Sequence, residues 1–232
     1  MPVSITHALA RWLTNYDDQR SFGSRLRARR AAPLVAMIEA AAKEHGHVDI
    51  IDIGGAEFYW GIVPAEVLQR HRVSITIVNV AGYEIKADHG PFKFRSGDGC
   101  DLAGFANGSF HIAHSNSVIE HVGDWDRMVR FAAEVQRVAK RCFVQTPNYW
   151  FPIEPHFMSP FFHWLPKPMR VWLVLHLRLG HWKKADSVDE AVRIVESARL
   201  LNRRMFAALF PRAEITTERV LGFAKSFVAI KR

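Results

Sequence analysis

Apolar residues in this chain fall into two rhythms. Short β-branched runs, each ending in glycine or a small polar residue, lie at Val48–Gly55, Arg72–Val80, Phe92–Gly99, Ser109–Ser117 and Lys140–Pro147. They read as buried strands. Between them, apolar positions recur every three to four residues. Ala31–Gly46 reads as a helix, with Pro33 near its start and Gly46 just past its end. Asp124–Lys140 reads as another, placing Met128, Phe131, Val135 and Val138 on one face, with Asp124 or Asp126 able to cap it. Strands alternating with helices predict an α/β fold whose sheet is mostly parallel and covered by helices on both faces. The end changes pattern. Residues 187–210 read as helical, and the runs 213–220 and 226–232, joined by Leu221–Lys225, read as an antiparallel hairpin.

Length and composition narrow the class. The 232 residues are 49% hydrophobic, enough for one domain with a sizeable core and too apolar for disorder. Two cysteines, Cys100 and Cys142, make no disulfide framework, so a cytoplasmic location is expected. Residues 1–18 contain no signal-peptide core, and the greasiest stretch, Val171–Leu177, is seven residues between Arg170 and Arg178, too short to span a bilayer. A single domain over 1–232 is expected, with an N-terminal arm at 1–30 and an aromatic-rich lid or insertion at 149–186. Within 149–182 stand nine aromatics and five prolines. That composition suits either a packed insertion or a pocket lid.

The first strand run ends in Asp52-Ile53-Gly54-Gly55-Ala56, a turn in which backbone can approach a ligand closely. The second ends in Asn79-Val80, the third in Asp98-Gly99, the fourth in Ser115-Asn116. After it comes Val118-Ile119-Glu120-His121-Val122, and after the fifth, Thr146-Pro147-Asn148. These motifs, in this order, resemble the class I S-adenosylmethionine-dependent methyltransferases, and the stretch 105–129 resembles their type-11 branch. The resemblance covers roughly residues 25–160 and the terminal hairpin. It implies a Rossmann-like sheet of seven strands and S-adenosylmethionine as cofactor. It implies that Gly54, Gly55 and Ala56 form the cofactor turn, supported by Asp52, and that Asn79 and Val80 lie at the ribose. Asp98 would face the adenine amino group, with Gly99 offering an N–H. Ser115 and Asn116 would border the methyl group. The sequence departs from the family pattern in three places: later motif-one glycines fall on Ala56 and Phe58, Asn79 stands for the ribose-binding acid, and His111 stands for an Asp.

Methyl transfer from a sulfonium mainly needs alignment, with a base where the acceptor is a hydroxyl or an acidic carbon. His121 and His156 are candidates for that base, oriented by Glu154. Some relatives carry Glu-x-x-Glu-His at this point for a metal. Here Ser117 replaces the first acid, and Glu120 with His121 alone makes a poor site, so no metal is expected. No Gly-x-Ser-x-Gly elbow or Walker loop exists.

The net charge of +8 is unevenly spread. Residues 1–47 hold seven basic and four acidic side chains, residues 48–147 ten and twelve, and residues 148–232 fourteen and seven. The basic excess lies on the arm and on the acceptor-side half. The expected acceptor is therefore a small or medium organic molecule that is anionic, or linked to a lipid or glycan. Aromatics interleaved with Lys and Arg across 161–184 also suit peripheral contact with a membrane surface. Two competing functions use the same features. A nucleic-acid methyltransferase would exploit the charge and aromatics, though no RNA-binding module or base-flipping motif accompanies them. A non-catalytic binding protein would explain the departures at Asn79 and the glycines. Arg25, Arg27, Arg29 and Arg30 form either a phosphate site or a solvated helix face.

Overall fold

A computed structural model describes residues 22–82, 86–180 and 182–232, with side chains from residue 31 onward. The elements in chain order are α1 (Phe22–His45), β1 (Val48–Ile53), α2 (Ala65–Arg70), β2 (Val73–Asn79), β3 (Phe92–Ser96), β4 (Phe110–Asn116), α3 (Trp125–Val138) and β5 (Ala139–Pro147). Then follow β6 (Ile153–Glu154), β7 (Ser159–Pro160), α4 (Lys167–His176), α5 (Val188–Glu196), α6 (Arg203–Leu209), β8 (Glu214–Val220) and β9 (Phe223–Lys231). Short 3-10 turns occupy Glu57–Ile62, Ile119–His121 and Phe162–Trp164.

One seven-stranded sheet has the order β3-β2-β1-β4-β5-β9-β8. The first five strands in that order run parallel, and β9 joins β5 antiparallel. The chain leaves the sheet's centre in both directions from β1, so the C-terminal ends of β1 and β4 flank a topological switch point. One face is covered by α3 and α6, through Phe131, Val135 and Phe206. The other is covered by α1 and the Glu57–Ile62 turn, through Leu34, Ile38 and Trp60. Met128, Phe131, Val135 and Val138 of α3 are all buried, worth about 8 kcal/mol of transfer free energy before entropy is charged. Asp124 is the cap, accepting from the Arg127 N–H at 2.9 Å.

Three boundaries differ from the sequence expectation. Helix α1 begins at Phe22, so Pro33 lies inside it, not at its start. Residues 22–30 of the expected arm are helical backbone. Residues 1–21, and the side chains of Arg25, Arg27, Arg29 and Arg30, lie outside the description. The helix expected over 187–210 is two helices. Ser187 caps α5 through the Glu190 N–H, and Asn202 caps α6 through the Met205 N–H. The break is stabilised by tertiary bonds: Arg199 N–H donates to the Glu120 carbonyl, Tyr149 N–H donates to the Leu201 carbonyl, and Leu201 is fully buried. Finally, the terminal hairpin closes over two residues, Leu221 and Gly222, both at positive φ. That is the backbone of a tight type I′ turn, whose twist matches the strands.

Residues 149–186 have a small core of their own. Phe157, Phe162, Val174 and Ala185 pack on Ala191, Ile194 and Val195 of α5. Asn148 anchors the segment's entry, donating to the Ala224 carbonyl and accepting from the Trp150 N–H. Among the described residues no helix is long and apolar enough to cross a membrane. Cys100 and Cys142 are buried free thiols, and burial pushes both up to about 11.

Candidate active site

The ends of β1 to β4 reach one edge of the sheet. At the β1 end Gly54 has φ +71°, and a Cβ there would press on Val118 at 2.6 Å. A Cβ on Gly55 would lie 1.9 Å from the Asp52 carboxylate. Only glycine fits either position, which explains the doubled glycine of this turn. Ala56 follows in extended conformation and starts the 3-10 turn.

Asp52 supports the turn from below and does not face the edge. It is fully buried, with one oxygen 2.6 Å from His114 Nδ1 and the other accepting from Trp60 Nε1 at 2.8 Å. Ser115 is likewise fully buried, and its hydroxyl donates to the Ile53 carbonyl, tying β4 to β1. Expected beside the methyl group, it is placed inside the sheet. Asn116, the next residue, is the one at the strand end and is half-buried.

Asn79 donates from Nδ2 to the Gly55 carbonyl at 3.0 Å. A carboxylate has no proton to give this bond, so the amide at this position fastens the β2 end to the glycine turn. Its Oδ1 is the atom left with acceptor capacity for a ribose hydroxyl. Val80 beside it is half exposed. Asp98 is partly exposed and accepts from the Cys100 N–H at 2.9 Å and from Arg127 Nη2 at 2.8 Å. Partial burial alone would raise its pKa, but these two donors hold it below the usual carboxylate range. Gly99 packs so closely on Ile53 and Phe131 that a Cβ would come within 2.8 Å of both. The turn that only glycine fits, the acceptor on Asn79, the ionised Asp98 and the exposed face of Val80 together suit a nucleoside with a charged tail. S-adenosylmethionine would sit along Gly54–Ala56, Asn79–Val80 and Asp98–Gly99.

A second polar group lies just past β4 and below the 149–186 segment. His156 Nδ1 is 2.6 Å from Glu154 Oε1, and the other Glu154 oxygen accepts from the Phe157 N–H. His121 Nδ1 is 2.7 Å from the Ser197 carbonyl, so its proton sits on Nδ1 and Nε2 is the acceptor. The two Nε2 atoms face each other at 3.0 Å. That contact is a hydrogen bond only when His156 donates, so the pair shares one proton. Burial alone would lower the pKa of His156, but Glu154 beside it raises it. Glu120 is buried, accepts from the Thr146 hydroxyl at 3.1 Å, and is pushed up to about 7 by burial. Ser117, in the place of the absent acid, turns away and donates to Gln145 Oε1.

Thus the three residues expected to act together, His121, His156 and Glu154, are brought together. Glu120 and His121 were expected to make a poor metal site by themselves; the fold sets His156 beside them. One ligand atom from each of the three lies within 4.8 Å of the others. Sequence reasoning missed Arg127, His114 and Trp60. Arg127 had a local signal, being the third residue after the Asp124 cap. His114 and Trp60 had none, since their link to Asp52 spans 62 and 8 residues.

Comparison with known proteins agrees with this geometry. Residues 62–142 match a family model described as a methyltransferase domain, of type 11. The matched segment starts after the glycine turn, the part whose sequence departs most from the family. A carbon methyltransferase, CurJ, superposes with a TM-score of 0.54 at 14% identity, covering 98% of this chain and 59% of that one. A protein from Rhodobacter sphaeroides described as a putative Zn-dependent alcohol dehydrogenase gives 0.53 at 11% identity, covering 88% and 96%. An S-adenosylmethionine-dependent methyltransferase from Methanosarcina mazei gives 0.47 at 17% identity, covering 79% and 91%. No curated protein sequence matches. The sheet has the Rossmann-like order with an antiparallel C-terminal pair, and residues 62–142 within it, about a third of the chain, match the type-11 methyltransferase domain.

Proposed function

We propose that the enzyme methylates a small or medium organic acceptor that carries negative charge. Gly54–Ala56, Asn79, Val80, Asp98 and Gly99 hold S-adenosylmethionine, which when bound supplies an electrophilic methyl group. Asp52 and Ser115 position the turn. Asn116 borders the reacting centre, and the His121–His156–Glu154 group holds or accepts the acceptor's proton. The observation that carries this reading is the convergence of four strand ends on one edge, next to a histidine pair whose Nε2 atoms face each other at 3.0 Å. Calorimetry with S-adenosylhomocysteine tests it. Binding is expected, and Asp98→Ala should weaken it about tenfold, the loss of a charge-assisted bond. A folded chain that binds none overturns the reading. His156→Gln should lower turnover about a hundredfold where the acceptor must lose a proton. Activity that is lost to a chelator and restored by a divalent ion would replace the shared proton with a cation.

The finer location is cytoplasmic, at an anionic membrane face. Trp150, Phe161, Met169 and Trp172 are each more than half exposed on the 149–186 segment, alongside exposed Arg178, Lys183 and Lys184. Aromatics and cations on one segment suit an anionic bilayer. Co-sedimentation with phosphatidylserine vesicles but not phosphatidylcholine vesicles is the expected result. Equal recovery from both removes the membrane from the proposal.

A further inference from the structure

A cavity of about 490 Å³ lies between the 149–186 segment and the α5–α6 connection. That volume falls within the range of small-molecule pockets. Glu154 lines it and also holds His156, so the cavity adjoins the proton-sharing histidine pair. Three features of its wall point to one kind of ligand.

Helix α4, ten residues long, opens into the cavity at Lys167. Its cap is Pro166, which offers no side-chain acceptor, and its first turn contains no acid. Pro166 and Pro168 have no N–H, so the first turn offers those of Lys167 and Met169, and its positive end lies at a wall whose own carboxylates, Glu154 and Glu196, are already paired. Arg170 and Arg199 line the same wall, and the buried Nε of Arg170 has no partner among the described residues. Lys167 is already paired, with Glu196. The third feature is His163, which is 7% exposed. Its Nε2 donates to the Tyr149 carbonyl at 2.7 Å, which leaves Nδ1 as a lone-pair acceptor. That Nδ1 has no partner among the described residues. The wall thus holds one unpaired donor for an oxyanion, Arg170 Nε, beside the α4 N-terminus, and one unpaired acceptor for a hydroxyl, His163 Nδ1. Tyr149, Phe162 and Trp164 supply an apolar surface between them.

We infer that this cavity is the acceptor pocket and that its ligand is a hydroxylated small molecule bearing a phosphate or carboxylate. The oxyanion binds at the α4 N-terminus and Arg170. The hydroxyl donates to His163 Nδ1. This assignment rests on the methyltransferase reading for the word acceptor, but the binding chemistry stands on the cavity alone.

The test is calorimetry on the full chain with four probes: glycerol 3-phosphate, inorganic phosphate, lactate and glycerol. Glycerol 3-phosphate or lactate should bind more tightly than inorganic phosphate, and glycerol should not bind. Which of the two hydroxylated anions prevails identifies the oxyanion. Arg170→Gln should weaken binding about tenfold. His163→Phe should erase the advantage of the hydroxylated probes and spare that of phosphate. Arg212→Gln, on the surface outside the cavity, should change nothing. Equal losses in Arg170→Gln and Arg212→Gln would show diffuse charge attraction and overturn the inference. So would the absence of binding by every probe. S-adenosylhomocysteine is titrated into the same samples. Cofactor binding without probe binding sinks the pocket alone, and probe binding without cofactor binding sinks the methyltransferase reading alone.

Discussion

Among the described residues a buried carboxylate meets a histidine Nδ1 twice, in two settings. Asp52 and His114 meet at 2.6 Å across β1 and β4. Glu154 and His156 meet at 2.6 Å on the 149–186 segment. In each, a carboxylate oxygen faces Nδ1 and the second oxygen takes another N–H, from Trp60 or from the Phe157 backbone. What differs is the far side of the ring. His114 is enclosed by Tyr59, Trp60 and Phe143, and its Nε2 is buried with no partner among the described residues. His156 keeps a fifth of its side chain exposed and turns Nε2 toward His121. A carboxylate–histidine pair is therefore not a catalytic signal in itself. The ring must also have somewhere to pass its proton, and only the second pair does.

The largest expected effect breaks this contrast on the stability side. Asp52→Ala strands a buried imidazole and a buried indole N–H, and should cost about 4 kcal/mol in urea unfolding. Glu154→Ala should cost about half as much, because His156 can turn to water. Equal losses would mean that the two settings are energetically alike, and the contrast would fail.

A slightly smaller effect appears as pH dependence. Glu120 carries a folded pKa of about 7 against an ordinary 4.5, because burial disfavours its charge. The folded chain therefore binds a proton the unfolded chain has released. The stability this contributes is complete below about pH 4.5 and is lost as pH rises through about 7. The loss should reach about 3 kcal/mol. His156, also raised, acts in the same direction. Unfolding measured at about pH 5 and pH 8 should show the drop, and Glu120→Gln should remove most of it. An unchanged slope in that variant would place the titrating group elsewhere.

The layout of the fold was legible because its signals are local. The β-branched runs, the amphipathic face of α3 and the Asp124 cap each announce themselves within a few residues. So did the strand-end motifs, which carry the resemblance. What stayed hidden shares one cause. Asn79 is expected at the ribose, and its further bond to the Gly55 carbonyl exists only after β1 and β2 pair. Ser115 sits in a strand-end cluster that looks exposed, yet β4 is central and buries it. The break between α5 and α6 had a local sign in Asn202, a strong cap, but the pull came from Glu120 and Tyr149 far upstream. His156 and Glu120 are 36 residues apart, and no spacing rule joins them. Segment 149–186 stands out by composition, and it was expected to be a lid or insertion. That His163 and Arg170 each leave a buried nitrogen unpaired there was not legible, because unpaired atoms have no sequence signature.

The smallest effect sharpens the comparison at a single hydrogen bond. Trp60→Phe and Thr146→Val each remove one donor from a buried carboxylate, Asp52 in the closed region and Glu120 in the open one. A bond to an ionised oxygen is worth more than one to a neutral carboxyl, about 2 against about 1 kcal/mol. At about pH 6 most Glu120 is protonated, so Thr146→Val should cost only about 1 kcal/mol. At about pH 8 Glu120 is ionised and the same substitution should cost about 2 kcal/mol, matching Trp60→Phe at neutral pH. The hydroxyl of Thr146 can donate to either form, so only the strength of the bond changes with pH. A Thr146→Val penalty that stays flat between the two pH values would show that Glu120 keeps one charge state throughout. The open cluster would then be as fixed as the closed one.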